Sequence, residues 1–310
     1  IWPEGVFYVP PSGSRKFVMT PVDGYCISDV IVDGVSQGAI PHFTFTNVTT
    51  SHNIEVLFVS HDPLPISIPK TGANISVYPN DDGDLQAGLA WPNPRFQDNN
   101  DGTLTDNLTG LMWLKDTATL GSGTWNQAFS KIETLNNNPA SLAPVGYSMD
   151  FLDWRLPNRY ELLSLFTNAA ETDIATWLES MGFSDIQSSW TSTTIPDWDK
   201  PAYYLKAGPA GCIFQESAKS ASRGILAVRG TATGPFVVPK TGQATSYHAG
   251  DDGDMQRGAA WPTPRFVNNG DGTVTDMLTN LMWPASANPT KSHDDRTYGT
   301  LRWTGALDYA

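Results

Sequence analysis

Cysteine is nearly absent from this 310-residue chain, with Cys26 and Cys212 the two present. So sparse a set excludes a disulfide framework, and the pair reads as two small buried hydrophobes. Basic side chains are also few, 19 Lys and Arg against 32 Asp and Glu, for a net charge of -13. A phosphate-binding surface needs the opposite balance, so nucleic acid is excluded as a partner. No apolar run approaches the roughly 18 residues of a membrane span, and no cleavable leader stands at the start. His42, His52, His61, His248 and His293 have neither metal nor acid–base spacing, and no phosphate-cradling Gly loop follows a strand. The chain is therefore read as a non-enzyme.

What the chain does have is a duplication. PKTGANISVYPNDDGDLQAGLAWPNPRFQDNNDGTLTDNLTGLMW, from Pro69 to Trp113, returns from Pro239 to Trp283 as PKTGQATSYHAGDDGDMQRGAAWPTPRFVNNGDGTVTDMLTNLMW. The offset is 170 without a gap, and 28 of the 45 positions are identical. Such a long period means tandem domains and not a solenoid of small units. DDGD, WPxPRF, DGTxTD and LMW are kept while the residues between them drift.

Residues 1–60 read as all-β, with strands expected at 16–22, 26–34, 39–48 and 52–59 between DGY, DGVSQG and TTSH turns. GYCISDVIVDGVSQG followed by FTFTNVTTSHNIEVLFV is similar to the divergent internalin-B-type repeat, a small β module of long bacterial surface proteins. Modules of that kind open with one more strand, which is missing ahead of Ile1. Two Pro-containing joints, 61–68 and 231–238, read as short stiff linkers. They delimit a domain at 69–230 and an incomplete second copy at 239–310. IPKTG at 68–72 looks like a sortase signal but opens a folded domain and recurs as VPKTG, so it reads as a duplicated linker and first strand.

Within 69–230, Thr124 and Gln127 have capping-box spacing and predict a helix to about Leu135 that buries Trp125, Ala128, Phe129, Ile132 and Leu135. A second helix is predicted from Asn158, with Glu161 three residues on, burying Leu162, Leu165 and Phe166. A third is predicted from about Thr172 to Met181, stopped by Gly182. Strands follow at 188–194, 202–208 and 225–230, so the fold class is α+β with its helices in the middle.

DNNDGTLTDNLTGLMWLKD, TWNQAFSKIETLN, DWRLPNRYELLSLF, SSWTSTT, AYYLKAG and ILAVRG, in that order, resemble the bacterial domain family that forms the C-terminal region of the Legionella collagen-like adhesin. The resemblance runs from Pro69 to about Arg229 and in part from Pro239 onward. It implies a C-type-lectin-like α+β fold, secretion, and, in the adhesin, glycosaminoglycan attachment. This chain departs from that pattern in being acidic, which does not suit a polyanion ligand.

The acidic turns offer dense oxygen donors of the kind calcium prefers. These are Asp81, Asp82, Asp84, Asp98, Asn100, Asp101, Thr103 through its carbonyl, and Asp106, with Asp251, Asp252, Asp254, Asp271, Thr273 and Asp276 in the second copy. An EF-hand is excluded, because its first ligand position would fall on Gln97 and Val267 and no Glu stands at the twelfth. Calcium and simple turn capping, with Gly102 and Gly272 at positive φ, both stay open. Trp154, Arg155, Trp190 and Tyr203 are either a sugar-stacking surface or core residues with Arg155 tying loops together.

The second copy reaches the start of its first helix at Arg302, Trp303, Ala306, Leu307 and Ala310, an apolar stripe of about two turns that is unstable alone. Both ends of the chain thus look unfinished, through truncation or through completion by a neighbouring copy, head to tail. The expectation is a calcium-stabilised structural protein of a bacterial surface fibre, its partner further copies of itself. The alternative is an extracellular adhesin module that binds surface glycans.

Overall fold

The computed structural model describes residues 5–19, 25–38, 40, 42–60, 66–138, 151–165, 174–184, 188–196, 200–206 and 213–286. The chain divides into two units, 1–64 and 65–310. The expected start of the second copy's helix (302–310), Cys212 and Phe166 lie outside the described residues, as does the side chain of Cys26.

Among the described residues the first unit has five strands: β1 (Gly13–Val18), β2 (Tyr25–Val32), β3 (Val35–Ser36), β4 (His42–Val48) and β5 (Ile54–Ser60). β1 pairs with β4, and β2 lies between β3 and β5. Phe17, Val30 and Val32 are buried between the two sheets, with Phe43, Phe45 and Val56 against them. β2 turns into β3 at Asp33 and Gly34, both at positive φ (51° and 81°), the geometry that suits a two-residue hairpin. Asp33 also pairs with His52 at 2.6 Å and accepts from the Asn53 N–H. That pairing, with His52 foremost, holds the Asp33 carboxyl below its usual range.

The second unit is a mixture of short strands and helices, as the α+β expectation requires. Its strands are β6 (Phe96–Asp98), β7 (Thr103–Asp106), β8 (Met112–Leu114), β9 (Ser122–Gly123), β10 (Ser189–Thr194), β11 (Ala202–Lys206), β12 (Ile213–Ser217), β13 (Arg223–Gly224) and β14 (Val228–Arg229). β15 (Phe266–Asn268), β16 (Thr273–Asp276) and β17 (Leu281–Pro284) belong to the second copy. They form sheets in the orders β14-β8-β7-β6, β12-β11-β10-β13-β9 and β15-β16-β17. The helices are α1 (Asp82–Leu85), α2 (Trp125–Asn137), α3 (Arg159–Leu163), α4 (Ile174–Ser180) and α5 (Asp252–Met255).

The caps predicted for α2 and α3 both form. Thr124 with Gln127, and Asn158 with Glu161, make reciprocal side-chain to backbone bonds. All five apolar residues expected on the inner face of α2 are buried. After α4 the chain turns out through Gly182 at φ 104°, a conformation that L side chains rarely adopt.

Neighbouring residues of one strand feed two separate cores. Leu114, Ile225, Ala227 and Tyr204 pack with α2, whereas Trp113, Leu226, Val228 and Leu205 pack with α3 and α4. Alternating side chains of β8, β11 and the 225–228 segment therefore face protein on both sides, so these stretches read as continuous apolar runs with no polar face. β10 is likewise buried at all six positions, although five of them are Ser or Thr.

The stretch 231–238, expected as a short stiff linker, is tied to the first copy's turn. Gly234 and Phe236 donate backbone N–H groups to Thr109 and Leu108, and Val238 is fully buried. Backbone hydrogen bonds and apolar burial fix this stretch within the second unit, and the two copies of the repeat share that unit.

Equivalent tryptophans of the repeat meet unlike surroundings, with Trp113 0% and Trp283 54% exposed. Replacing a fully buried Trp by Ala removes its transfer energy and leaves a cavity. Trp113→Ala is expected to destabilise the second unit by about 3–5 kcal/mol. Trp283→Ala is expected to cost less than about 1 kcal/mol. Denaturant unfolding of the two variants checks this, and equal costs would contradict it.

Candidate functional site

Each acidic turn is held by its own backbone. The Asp81 carboxylate accepts from the N–H groups of Val77 (2.7 Å), Tyr78 (3.0 Å) and Asp84 (2.9 Å). These bonds, Val77 first, hold its pKa below the usual carboxylate range. Asp251 repeats the arrangement on Tyr247, His248 and Asp254. Gly83 and Gly253 of the DDGD motifs leave no room for a side chain, since a Cβ would lie 2.1 Å from the carbonyl oxygen of Ile75 or Thr245. Asp84 accepts from Asn80 N–H, and Asp254 from Gly250 N–H.

The next turn is built the same way. Asp98 accepts from Asn100 N–H and from Lys115 Nζ, and the Lys115 bond is the main reason its pKa is lowered. Asp101 accepts from the N–H and hydroxyl of Thr103, and Asp271 does so from Thr273. The Thr273 bonds hold the Asp271 carboxyl below its usual range. The carbonyls of Thr103 and Thr273 accept from Asn99 and Asn269 N–H. Asp106 is buried and faces Arg95 (3.3 and 3.4 Å), Leu108 N–H and Thr109 Oγ1. Asp276 has the same set in Arg265, Leu278 and Thr279. Burial alone would push the Asp276 carboxyl up, but these partners outweigh it and hold it low.

The donors proposed from sequence for calcium therefore do not converge on a point. Asp101 points to its own turn, Asp106 to Arg95, and the Thr103 carbonyl to Asn99. Among the described residues no three His, Cys, Asp or Glu side chains group as a metal cage. Gly102 and Gly272 do adopt positive φ, at 84° and 91°.

The four residues proposed to stack sugars are not a surface. Trp154 and Trp190 are buried in the α2 core, and Trp190 Nε1 donates to Gly123 O. Arg155 is buried, with both terminal nitrogens 2.6 Å from the Glu161 carboxylate and a further bond to Gly230 O. Of the four, Tyr203 is half-buried, against Arg159. The apolar bodies of both tryptophans and the matched Glu161 charge explain why they are inside.

The most developed contact in the second unit joins the two copies. The segment 241–257 of the second copy lies in a groove formed by α2, α3 and β10. Asp252 Oδ2 accepts from Thr241 Oγ1 (2.5 Å) and from Thr193 Oγ1 (2.7 Å), and Asp252 is 3% exposed. Gln243 accepts from Thr194 N–H (2.7 Å), and Asn158 Nδ2 donates to Arg257 O (3.2 Å). His248 stacks on Phe129 with ring centroids 4.3 Å apart. Burial raises the Asp252 pKa, with Glu161 and Asp251 adding to the effect and the two threonine hydroxyls opposing it. Lys219 sits over Trp125 at 3.7 Å and near Tyr247 at 4.9 Å. Thr193, His248 and Lys219 carry no mark in the sequence, because their partners lie more than fifty residues away or in unlike motifs.

A cavity of about 390 Å³ lies where the copies meet, lined by Trp91, Arg95, Tyr160, Trp261, Arg265 and Pro239 among others. Each guanidinium covers its own tryptophan, Arg95 over Trp91 and Arg265 over Trp261, both at 4.4 Å. Those indole faces are already taken by cations of the chain itself.

An α+β domain with two cores, a buried Arg–Glu tie and a neighbour's segment in its groove is thus the body of the second unit. Residues 102–229 of it match a family model described as the Lcl C-terminal domain. The match agrees with the family resemblance seen in the motifs and covers less than half of the chain. It begins beyond the leading acidic segment 69–101. A search of curated proteins finds no match to the chain. No helix among the described residues is long and apolar enough to cross a membrane.

Lys219 gives the groove a titration that can be followed. Burial pushes its ammonium down to about 8 from 10.5, with Lys200 adding to this and Asp251 opposing it. The folded state therefore binds fewer protons than the unfolded chain between these values, so Lys219 makes stability rise as pH goes from about 8 to about 10.5. An NMR titration of the Lys219 side chain should show a midpoint near 8, and Lys219→Met should remove the rise in stability relative to wild type. A midpoint near 10.5 would contradict the burial of this ammonium.

Proposed function

We propose that this chain is a non-enzymatic structural segment of a bacterial extracellular surface fibre or stalk, built from C-type-lectin-like modules that follow one another end to end. The observation that carries the reading is the seating of 241–257 in the groove of the preceding module, with Asp252 buried against Thr193. Modules clasped in this way pass load through a packed interface and not through a free linker. The match of 102–229 to the Lcl C-terminal domain supports an adhesin-related place at the cell surface.

Electron microscopy of the native material should show filaments of regular width. Dispersed particles of a single size would overturn the fibre reading.

Calcium would act in this reading by stiffening the acidic turns, and its weight rests on the oxygen-rich sequence. The self-contained hydrogen bonding of those turns favours a fold that stands without the ion. Melting in excess calcium and in excess chelator decides between them: a midpoint higher by more than about 4 °C in calcium supports the ion as a structural ligand, and equal midpoints remove it. Glycan binding would need a surface other than Trp154, Arg155 and Trp190.

A further inference from the structure

The leading segments of the two copies, 71–86 and 241–256, fold alike and meet opposite surroundings. Each has its capping aspartate, its four-residue helix, and a glutamine at φ 44° that closes it. Asp252 of the second is buried against Thr193, whereas its equivalent Asp82 is exposed and bonds Thr71 of its own segment. Val77 and Tyr78 hold the places of Tyr247 and His248. Val77 is 80% exposed, and Ile75 and Leu85 beside it are also open.

A second surface is open in the same sense. Phe96 and Trp113 of the first copy are buried beneath Leu162, Leu178 and Val228. Their equivalents Phe266 and Trp283, on β15 and β17, are exposed, and Leu281 and Met282 with them.

A reciprocal contact relates the two surfaces. Ile66 N–H donates to Leu278 O at 2.7 Å, and Phe236 N–H donates to Leu108 O at 2.9 Å. Ile66 and Phe236 are equivalent across the repeat offset, and so are Leu108 and Leu278. Each copy's leader is therefore clipped to the other copy's turn, the self-complementary pattern of a two-fold contact. The body formed by 114–229 covers the first copy's sheet and receives the second copy's leading segment. The exchange leaves an equivalent place, over β15–β17 and against the segment 71–86.

The geometry points to one occupant for both open surfaces: a second body of the same fold as residues 114–229, seated on β15–β17 and clasping the segment 71–86 through Asp82. This rests on the repeated-module reading above and adds to it the partner and its two points of contact. Successive modules would then pair by exchanging leading segments, each body held by the other's acidic turn.

The test continues the full chain beyond Trp283 with a second copy of residues 114–229. Hydrogen exchange at 75–86 and at 281–284 should slow at least ~10-fold relative to the original chain. Asp82→Lys should lower the melting point of the extended chain by about 4 °C or more and leave that of the original chain unchanged. Equal effects of Asp82→Lys in the two chains, or no gain in protection, would overturn the proposal. Should the extended chain not fold, Asp252→Lys in the original chain frees the resident groove for Asp82 of another molecule. Sedimentation velocity should then show concentration-dependent association that is lost in the double variant D82K/D252K. A D252K chain that stays monomeric, or association that survives D82K, overturns it equally. Absence of filaments from native material would remove the fibre and leave these outcomes as they stand.

Discussion

The pair formed by Arg95 and Asp106 is what the second unit is assembled around. Asp106 ends β7 and satisfies the turn that follows, through Leu108 N–H and Thr109 Oγ1, while Arg95 reaches it from the WPxPRF motif eleven residues earlier. The same guanidinium lies over Trp91 and Phe96, comes within 5.8 Å of the Trp177 ring on α4, and donates to Ser164 O at the end of α3. One buried cation thereby ties a sheet edge, an aromatic cluster and two helices. Its carboxylate is what makes such burial tolerable, since loss of one partner from a buried pair costs about 3–5 kcal/mol. The second copy keeps the pair as Arg265 and Asp276, with the arginine more open, because the helices that cover Arg95 have no counterpart there among the described residues.

This explains which parts of the sequence were readable. α2 and α3 were legible to their caps, because Thr124 with Gln127 and Asn158 with Glu161 act within one helical turn. The β module was legible from turns such as Asp33-Gly34, where two adjacent residues fix the hairpin. The acidic clusters were legible as turns, but not in their purpose. The partners of Asp106 and Asp252 are a guanidinium eleven positions back and a hydroxyl fifty-nine positions back, and nothing local points to either. The retention of Arg95 with Asp106 and of Arg265 with Asp276 at one spacing was the signal that could have found the first pair. β10 is buried on both faces although five of its six residues are Ser or Thr, so its pattern did not show that Trp190 faces a core, and an aromatic and guanidinium surface looked as reasonable.

The repeat and the packed body are delimited by different things. Sequence repeats are delimited by where similarity starts, which here is the PKTG at 69 and 239. Structural bodies are delimited by where apolar surface closes. The body that matches the Lcl C-terminal domain begins at 102 and is completed by residues up to about 257, across the Pro-containing joint, so the repeat unit and the packed unit are out of phase. Phase difference of this kind has a mechanical consequence. A chain cut into units at its linkers separates under load at the linkers, whereas one whose units overlap must first pull a segment out of a groove.

The duplication serves as an internal control on what burial contributes. The DDGD segments have the same sequence core and the same hydrogen bonds within the turn, so their local free energies are close to equal. Docking differs: Thr193, Asn158 and Phe129 hold one segment and not the other. The carboxylate of Asp252 pays for that docking through a pKa raised by burial, whereas Asp82 stays exposed. An acidic group that is costly to bury and kept nonetheless at both positions is placed for recognition more than for stability, since a neutral residue would fill the groove at lower cost. Thr193 and Thr241 both donate to Asp252 Oδ2, so the bond forms only when the two segments meet in one register. That is the property a repeating assembly needs at every joint.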